Sequence, residues 1–450
     1  MATRENTRQR LFLVLLSTIG IGLSIIGRQT RSAQALVQHP QLQPQTQPHH
    51  PSSSRSRTTN RRDFLHQIAA TTTAVVTASV LGDDARAAAG ATATAITGTA
   101  PTPISIPKPP QLPPIGLGCW AWGDSLFWGP SDEKQLQDVF EYVVSTTSSS
   151  SPSSSSSVLL DTAEVYGFGK SEQLIGQFTK TVAPETQAKL VVATKFAAVP
   201  FRTKPINVVK AAQGSLARLD RGPTTPIDLY QIHFPNAFAN AAYWEGLADA
   251  YDQGLVKSVG VSNYGVAAVR ACHAALAQRG IPLTSNQIQY SLLYRYPETH
   301  NALLQTCHEL NVQVLAYSPL ALGLLGGKYR TLDSVQKVGG GPRKKIFRQT
   351  IARPEFQQLV HTMEEIAHQH PNANVAQVAI NWCRAKGTIP IPGARTVTQV
   401  QSNYAALSWT LTPAEIAVLD AASANYSYID PTASPFPKQD KDTGLIMFDS

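Results

Sequence analysis

The chain has 450 residues, room at roughly 150 residues per domain for two or three domains or for one large barrel. Apolar residues make up 42% and charged residues 15%, which supports a sizeable core and excludes a charge-rich disordered chain. The formal charge of +8 sits mostly in residues 1–100, where ten Arg, no Lys and four acids (Glu5, Asp63, Asp83, Asp84) give +6. The rest is nearly balanced, with 28 basic and 26 acidic residues, so no nucleic-acid footprint is expected.

In chain order, Arg4, Arg8 and Arg10 precede an apolar run from Leu11 to Ile26 and then Ser32-Ala33-Gln34-Ala35. A basic start, a short apolar core and a small-x-small site make residues 1–35 a signal peptide. The run falls short of the ~20 residues that span a bilayer, so the processed protein is not expected to be integral to a membrane. Residues 36–60 are Gln-, Pro-, Ser- and Arg-rich without an acid and read as a disordered, transit-like segment. Residues 61–87 carry Arg61-Arg62-Asp63-Phe64-Leu65, an apolar stretch from Ile68 to Leu81, and Ala85-Arg86-Ala87, the layout of a twin-arginine signal. In series, the three segments resemble the layered presequence of algae with complex plastids. They predict cleavage near Ala87 and a plastid protein of the thylakoid lumen or thylakoid-associated. Residues 88–114, Ala/Thr-rich and then Pro-rich, read as a linker.

From Ile115 the pattern becomes regular. Apolar or β-branched runs fall at 115–123, 158–163, 189–196, 227–234, 256–262, 285–291, 312–318 and 388–393. Between them, Ser131–Val144, Val208–Leu219, Ala241–Tyr251, Val266–Ala277 and Val375–Trp382 carry apolar residues at helical spacing. Eight strands apolar on both faces, separated by helices, predict an α/β domain over 115–425: a single closed (β/α)8 TIM barrel. A doubly wound sheet fits less well, because Gly116-Leu117-Gly118 lacks the third Gly of a nucleotide-binding turn. Ser148–Ser157 reads as a flexible loop at the non-catalytic end, and 321–353 as a long, Gly-rich, basic loop. Within it, Arg343, Lys344, Lys345 and Arg348 are expected to be solvated. Residues 426–450 form a tail that stays flexible or folds over the pocket. Cys119, Cys272, Cys307 and Cys383 show no C-x-x-C spacing and are expected to be buried free thiols. No metal site is expected, since Glu365-Ile366-Ala367-His368 lacks the H-E-x-x-H order.

Barrels of this kind do their chemistry at the carboxyl ends of the strands, and several runs end there in a reactive side chain. Asp161 closes VLLD, with Tyr166 in the loop beyond. Lys195 closes VVATK and His233 closes LYQIH. A phenol near pKa 10 is a poor donor at neutral pH, and a neighbouring ammonium is expected to lower it. Asp161 would hold Lys195 charged, and a neutral His233 would orient a carbonyl oxygen. Such a set protonates a carbonyl but supplies no electrons, which must come from a cofactor.

The segments DTAEVYGFGKSEQLIG, VVATKF, DLYQIH, VGVSNY, NQIQYSLL, AYSPLALGLLGGKY and IPIPGARTVTQVQSN resemble the aldo-keto reductase superfamily from about Ile115 to Leu419. The resemblance implies that Asp161, Tyr166, Lys195 and His233 form the catalytic tetrad, with Tyr166 as general acid, acting on a small-molecule carbonyl substrate. It also implies NADP(H) as cofactor. Ser262, Asn263 and Gln287 would bind the carboxamide, Tyr317 would stack on the nicotinamide, and the loop with Ser318, Leu320 and Gly323 would cover the pyrophosphate. Arg395, Gln399 and Asn403 would hold the adenosine end, the Arg favouring the 2′-phosphate. Trp120, on the first strand, and Trp122 and Trp128 are expected to line the substrate pocket. The alternative within the resemblance is a nucleotide-sensing regulatory subunit with little turnover, as in potassium-channel β subunits.

Overall fold

Short runs apolar on both faces are satisfied only by a sheet covered on both sides. In the computed structural model the described residues are 106–146, 157–199, 201–222, 225–236, 238–299, 302–336, 338, 341–427, 438–439 and 446–447. Eight parallel strands pair in sequence order: β1 (Gly116–Gly118), β2 (Val158–Asp161), β3 (Leu190–Phe196), β4 (Leu229–Ile232), β5 (Val259–Ser262), β6 (Leu283–Gln289), β7 (Gln313–Tyr317) and β8 (Ile389–Ile391). The ring closes where Gly118 bridges Gly393 and its N–H donates to Pro392 O at 3.0 Å. A TIM barrel is therefore what the alternating pattern builds.

Side chains on a strand alternate faces with a period of two, and this sets the height of the chemistry. Leu159, Ala193, Leu229, Leu315 and Ile391 form one buried cluster inside the ring. Two residues further along, on the same face, stand Asp161, Lys195, Gln231 and Tyr317. The apolar layer is thus a floor, and the polar layer above it faces the carboxyl-terminal mouth. Leu112 packs against this floor from the chain preceding β1. Its N–H donates to Gln313 Oε1 at 2.9 Å, and Gln313 Nε2 donates to Pro110 O at 2.8 Å. The last part of the expected linker is therefore docked structure.

The helices form where apolar spacing and caps agree. The helix Pro205–Leu219 begins with Pro at its first position, buries Val208, Val209, Ala211, Ala212, Ser215 and Leu219, and stops at Asp220 in the left-handed region. Burying one such Val or Leu contributes about 1.5–3 kcal/mol. The helix Val375–Ala385 is opened by Asn374, whose side chain accepts the Gln377 N–H, and is buried from Val375 to Cys383.

Two expectations are corrected. The first run does not stay extended to residue 123: β1 ends at Gly118, and Trp120–Gly123 is a helical turn. Bonds from Gly118 N to Pro392 O and from Cys119 N to Asp161 O finish the ladder there. Residues 321–353 are not a long loop either. They hold the 3-10 segment Ala321–Gly326 and the helices Leu332–Val335 and Gly341–Ile351, anchored by buried Val335, Val338, Phe347 and Ile351.

All four cysteines are free and buried. Among the described residues no helix is long and apolar enough to cross a membrane, and no His, Cys, Asp and Glu group is placed to hold a metal. The signal, transit and twin-arginine readings fall on residues 1–87, outside the described residues, as do residues 88–105 of the linker, residues 148–156 of the serine tract and most of the tail.

Candidate active site

Strand register brings the first three reactive side chains together. Asp161 lies beside Ala193 on β3, two residues before Lys195. Lys195 Nζ donates to Asp161 Oδ1 at 2.7 Å and Oδ2 at 2.9 Å, to Thr162 O at 2.7 Å, and to Tyr166 OH at 3.5 Å. Both members of the ion pair are buried, with side chains 0% and 3% exposed. Gln287 Nε2, from β6, donates to Asp161 Oδ2 at 2.6 Å and ties the pair across the ring. His233, just past β4, meets the Tyr166 ring edge-on at 5.7 Å and stacks on Phe234 at 4.3 Å. Its Nδ1 is buried without a hydrogen-bond partner among the described residues.

The electrostatics differ from the sequence expectation at one point. Burial, and then the Asp161 charge, push the Tyr166 phenol well above its ordinary value. Lys195 does not prevail because its charge is compensated by Asp161 at 2.7 Å and because water is excluded from both groups. The phenol is accordingly held protonated but is a weaker acid than an ordinary phenol, so proton transfer from it waits on negative charge developing at an acceptor oxygen beside it. Burial lowers the Lys195 ammonium, against the pull of Asp161. Burial, and then the Lys195 charge, hold His233 well below its ordinary value, so it is neutral near pH 7.

The loop carrying Tyr166 is fixed from beneath. Gly167 has φ +57, and a Cβ there would stand 2.2 Å from Gly123 O. Two glycines thus let this loop lie directly on the Trp120–Gly123 turn.

One cleft of about 980 Å³ connects Trp120, Asp161, Tyr166 and His233 with Ser262, Asn263, Gln287, Tyr317, Ser318, Leu320, Gly323, Arg395, Gln399 and Asn403. Its volume lies at the upper end of ordinary small-molecule sites. Ser262 Oγ donates to Gln287 O at 2.8 Å, Asn263 Nδ2 to His233 O at 3.1 Å, and Tyr317 OH to Asn263 Oδ1 at 3.0 Å. Beyond β7, Leu320 (φ −95, ψ 15) is followed by Ala321, Leu322 and Gly323 with φ of 46, 61 and 104. Within this turn the Ala321 N–H donates to Ser318 O and the Gly323 N–H to Leu320 O, each at 2.8 Å, so the positive φ values fold the chain back on itself beside the cleft. Arg395 donates to Trp128 O at 2.7 Å and to Pro130 O, and its backbone N–H donates to Gln399 Oε1 at 2.8 Å. Asn403 Nδ2 donates to Gly393 O at 3.4 Å. Of the basic residues expected to be solvated, Lys345 and Arg348 are exposed, whereas Arg343 is half-buried: its guanidinium lies 4.9 Å from the Trp128 ring and 5.0 Å from the Phe347 ring. Neither Arg343 nor Arg395 has an acidic partner among the described residues. A long cleft lined by the Tyr166 and His233 rings near one end and by acid-free guanidinium groups near the other fits an elongated anionic dinucleotide.

Of the three tryptophans expected in the pocket, Trp120 and Trp128 line the cleft. Trp122 does not. It is 1% exposed, donates from Nε1 to Ala394 O at 3.0 Å and packs on Phe178. Within the helical turn it stands about 200° from Trp120, so the two rings cannot share one wall. Asp124, Glu164, Phe168, Phe201, Arg202 and Phe234 also line the cleft and were not among the expected residues. The spacing of four between Trp120 and Asp124 carried a usable signal: Trp120 Nε1 donates to Asp124 Oδ2 at 2.9 Å. Arg202 lies in irregular chain after β3, where no periodicity marks it.

Comparison with known proteins agrees with this architecture. Pyridoxal reductase, chloroplastic, of Arabidopsis thaliana is 39% identical over 327 residues, covering 70% of this chain and 84% of that protein. The solved structure of the glycerol dehydrogenase of Gluconobacter oxydans superposes with a TM-score of 0.58 at 26% identity, over 73% of this chain and 97% of that one. An aldo-keto reductase of Klebsiella pneumoniae, solved in complex with NADPH, shares the fold with a TM-score of 0.51 at 22% identity, over 73% and 93% of the two chains. The profile of the Aldo/keto reductase family matches residues 114–424, and with a closed eight-stranded barrel carrying its polar layer at the mouth, the chain belongs to that family.

Proposed function

We propose that the protein reduces an aldehyde or ketone to an alcohol with NADPH, with Tyr166 as the proton donor. The observation that carries this reading is the buried Asp161–Lys195 pair, with Nζ 3.5 Å from the Tyr166 oxygen, in a cleft that continues to Asn263, Gln287 and Arg395. NADPH, when bound, supplies hydride to the carbonyl carbon. The chain's own residues do the rest. Tyr166, kept protonated by burial, gives its proton to the carbonyl oxygen as charge develops there. Lys195 then stabilises the phenolate left behind, and Asp161 holds Lys195 in position. Neutral His233 offers a ring N–H to the same oxygen. Ser262, Asn263, Gln287 and Tyr317 would hold the nicotinamide end, with Ser318, Leu320 and Gly323 lining the stretch that would take the phosphates and Arg395, Gln399 and Asn403 beyond.

Pyridoxal is the first aldehyde to test, since a relative 39% identical carries that activity in its name. Replacing Tyr166 by Phe is expected to lower turnover by about 10² or more while tryptophan fluorescence reports nearly unchanged NADPH binding. Near-normal turnover in that variant removes Tyr166 as the acid. Tight NADPH binding with no turnover of any aldehyde by the native protein would assign the sensing role instead.

We further propose a plastid location, supported by the order of leader segments and by the chloroplastic relative. The thylakoid assignment rests on Arg61-Arg62-Asp63-Phe64-Leu65 and Ala85-Arg86-Ala87 alone. Sequencing the mature N-terminus from isolated plastids tests it: a start just after Ala87 is expected, and a start near Leu36 removes the thylakoid assignment.

A further inference from the structure

The residues read as holding the cofactor stand at the ends of β5 to β8 and beyond, which leaves the ends of β1 to β4 to enclose the substrate. That side is aromatic. Trp120 stacks on Tyr166 with centroids 6.0 Å apart and planes inclined by 28°, and Asp124 fixes the indole through Nε1. Phe234 is stacked on His233, while Phe168 and Phe201 stand at the rim, 44% and 77% exposed. Exposed rings gathered at a cleft mark surface that a ligand covers.

One cation stands among these rings. Arg202 lines the cleft with its side chain 22% exposed, its guanidinium 4.2 Å from the Phe196 ring. Nη1 donates to Glu164 Oε1 at 2.7 Å and to Ala197 O at 3.3 Å. Nε and Nη2 make no hydrogen bond among the described residues. The Glu164 Oε1 atom is shared with the Ala197 N–H at 2.6 Å, so Glu164 holds the guanidinium in place from one corner. The Nε–Nη2 edge is the fork that grips a planar oxyanion with two parallel bonds, and leaving such donors unpaired in a half-dry cleft is costly.

We infer that the substrate is a flat aromatic aldehyde bearing a ring oxyanion, a carboxylate or phenolate, which the Arg202 fork anchors while the aromatic wall takes the ring. This rests on the reductase reading above and assigns Arg202 as its specificity-determining residue. The reaction is unchanged: hydride and one proton add across the carbonyl, and the oxyanion is bound but not transformed.

The test compares 3- and 4-carboxybenzaldehyde with benzaldehyde in the full chain with NADPH. At least one carboxylated isomer should exceed benzaldehyde by about tenfold or more in kcat/KM, mainly through KM. Arg202→Gln should collapse that ratio toward one. Because Arg202→Gln strands Glu164, the double variant Glu164→Gln/Arg202→Gln is measured beside it and should lose the ratio equally. Equal treatment of the three aldehydes by the native protein, or a ratio that survives both variants, overturns the inference and leaves the reductase reading standing. If the native protein turns over no aldehyde, the reductase reading fails. Tryptophan-fluorescence titration with 4-(hydroxymethyl)benzoate and with benzyl alcohol then decides Arg202: tighter binding of the anion, lost in the variants, supports the anchor, and equal binding refutes it.

Discussion

Lys195 pays for its place in the core only through its partners. It is wholly buried, and among the described residues Asp161 beside it has no other cation in contact and takes a further side-chain bond from Gln287 Nε2 at 2.6 Å. Removing one member of a buried pair leaves the other charge uncompensated, at a cost of about 3–5 kcal/mol. Lys195→Met should therefore lower stability by that amount in urea unfolding, and Lys195→Met/Asp161→Asn should recover a large part of it. A double variant no more stable than the single one would show that Asp161 is not stranded. His233 gives a prediction in pH. Its folded value lies well below that of the unfolded chain, through burial and then the Lys195 charge. As pH falls, the unfolded chain takes up the proton first, near pH 6.5. The stability tied to a neutral His233 is thus full above that pH and is lost as the pH drops through it toward the lower folded value. Between pH 7.5 and 5.5 the native protein should lose more Tm than His233→Asn does. Parallel slopes would count against a neutral buried imidazole.

At the scale of elements, the geometry of the phenol depends on how the loop after β2 meets the turn after β1. Gly167, at φ +57, lies so close to Gly123 that a Cβ would stand 2.2 Å from Gly123 O. Gly167→Ala must lift this loop away from the turn and carry the adjacent Tyr166 with it. A displacement of about 1 Å at a reacting group costs on the order of 10² in rate, so kcat should fall by about that factor with far-UV circular dichroism unchanged; undiminished kcat would show that the loop yields without moving Tyr166. Side chains whose direction follows from local pattern are visible in the sequence, and those set by remote contacts are not. The helix Val266–Ala277 was legible to the residue, because apolar spacing and burial are two aspects of one pattern. Asp161 and Lys195 were legible because a polar residue ending an apolar strand has few destinations other than the mouth of the barrel. Trp122 was not, since its direction is set by where β1 stops, and that is decided by contacts with Pro392 and Gly393, remote in the chain. Residues 321–353 looked like a loop because Gly and basic residues dominate, whereas four buried apolar side chains suffice to dock two helices there. Arg202 and Phe201 follow the rim rather than any period, so only the folded chain gathers them.

For the whole molecule, the barrel has two ends with different tasks. The mouth holds charged and hydrogen-bonding groups that cost stability, and the floor offsets them with apolar contacts. That floor is completed by chain outside the ring: Leu112 packs on the cluster of Leu159, Ala193, Leu229, Leu315 and Ile391. Its N–H and the Pro110 carbonyl both pair with the Gln313 side chain. Partial burial of one leucine together with two hydrogen bonds contributes about 1–3 kcal/mol. For a domain this large, each kcal/mol moves Tm by about 2 °C. Chains beginning at residue 88 and at residue 106 should therefore melt together, since both keep the plug. A chain beginning at residue 114 should melt about 2–6 °C lower and should have the same KM for NADPH, because the plug and the cleft lie at opposite ends of the strands. Equal melting of all three chains would show that the floor seals without Leu112. A raised KM for NADPH in the shortest chain would show instead that the floor and the mouth are mechanically coupled through β7, which carries Gln313 at one end and Tyr317 at the other.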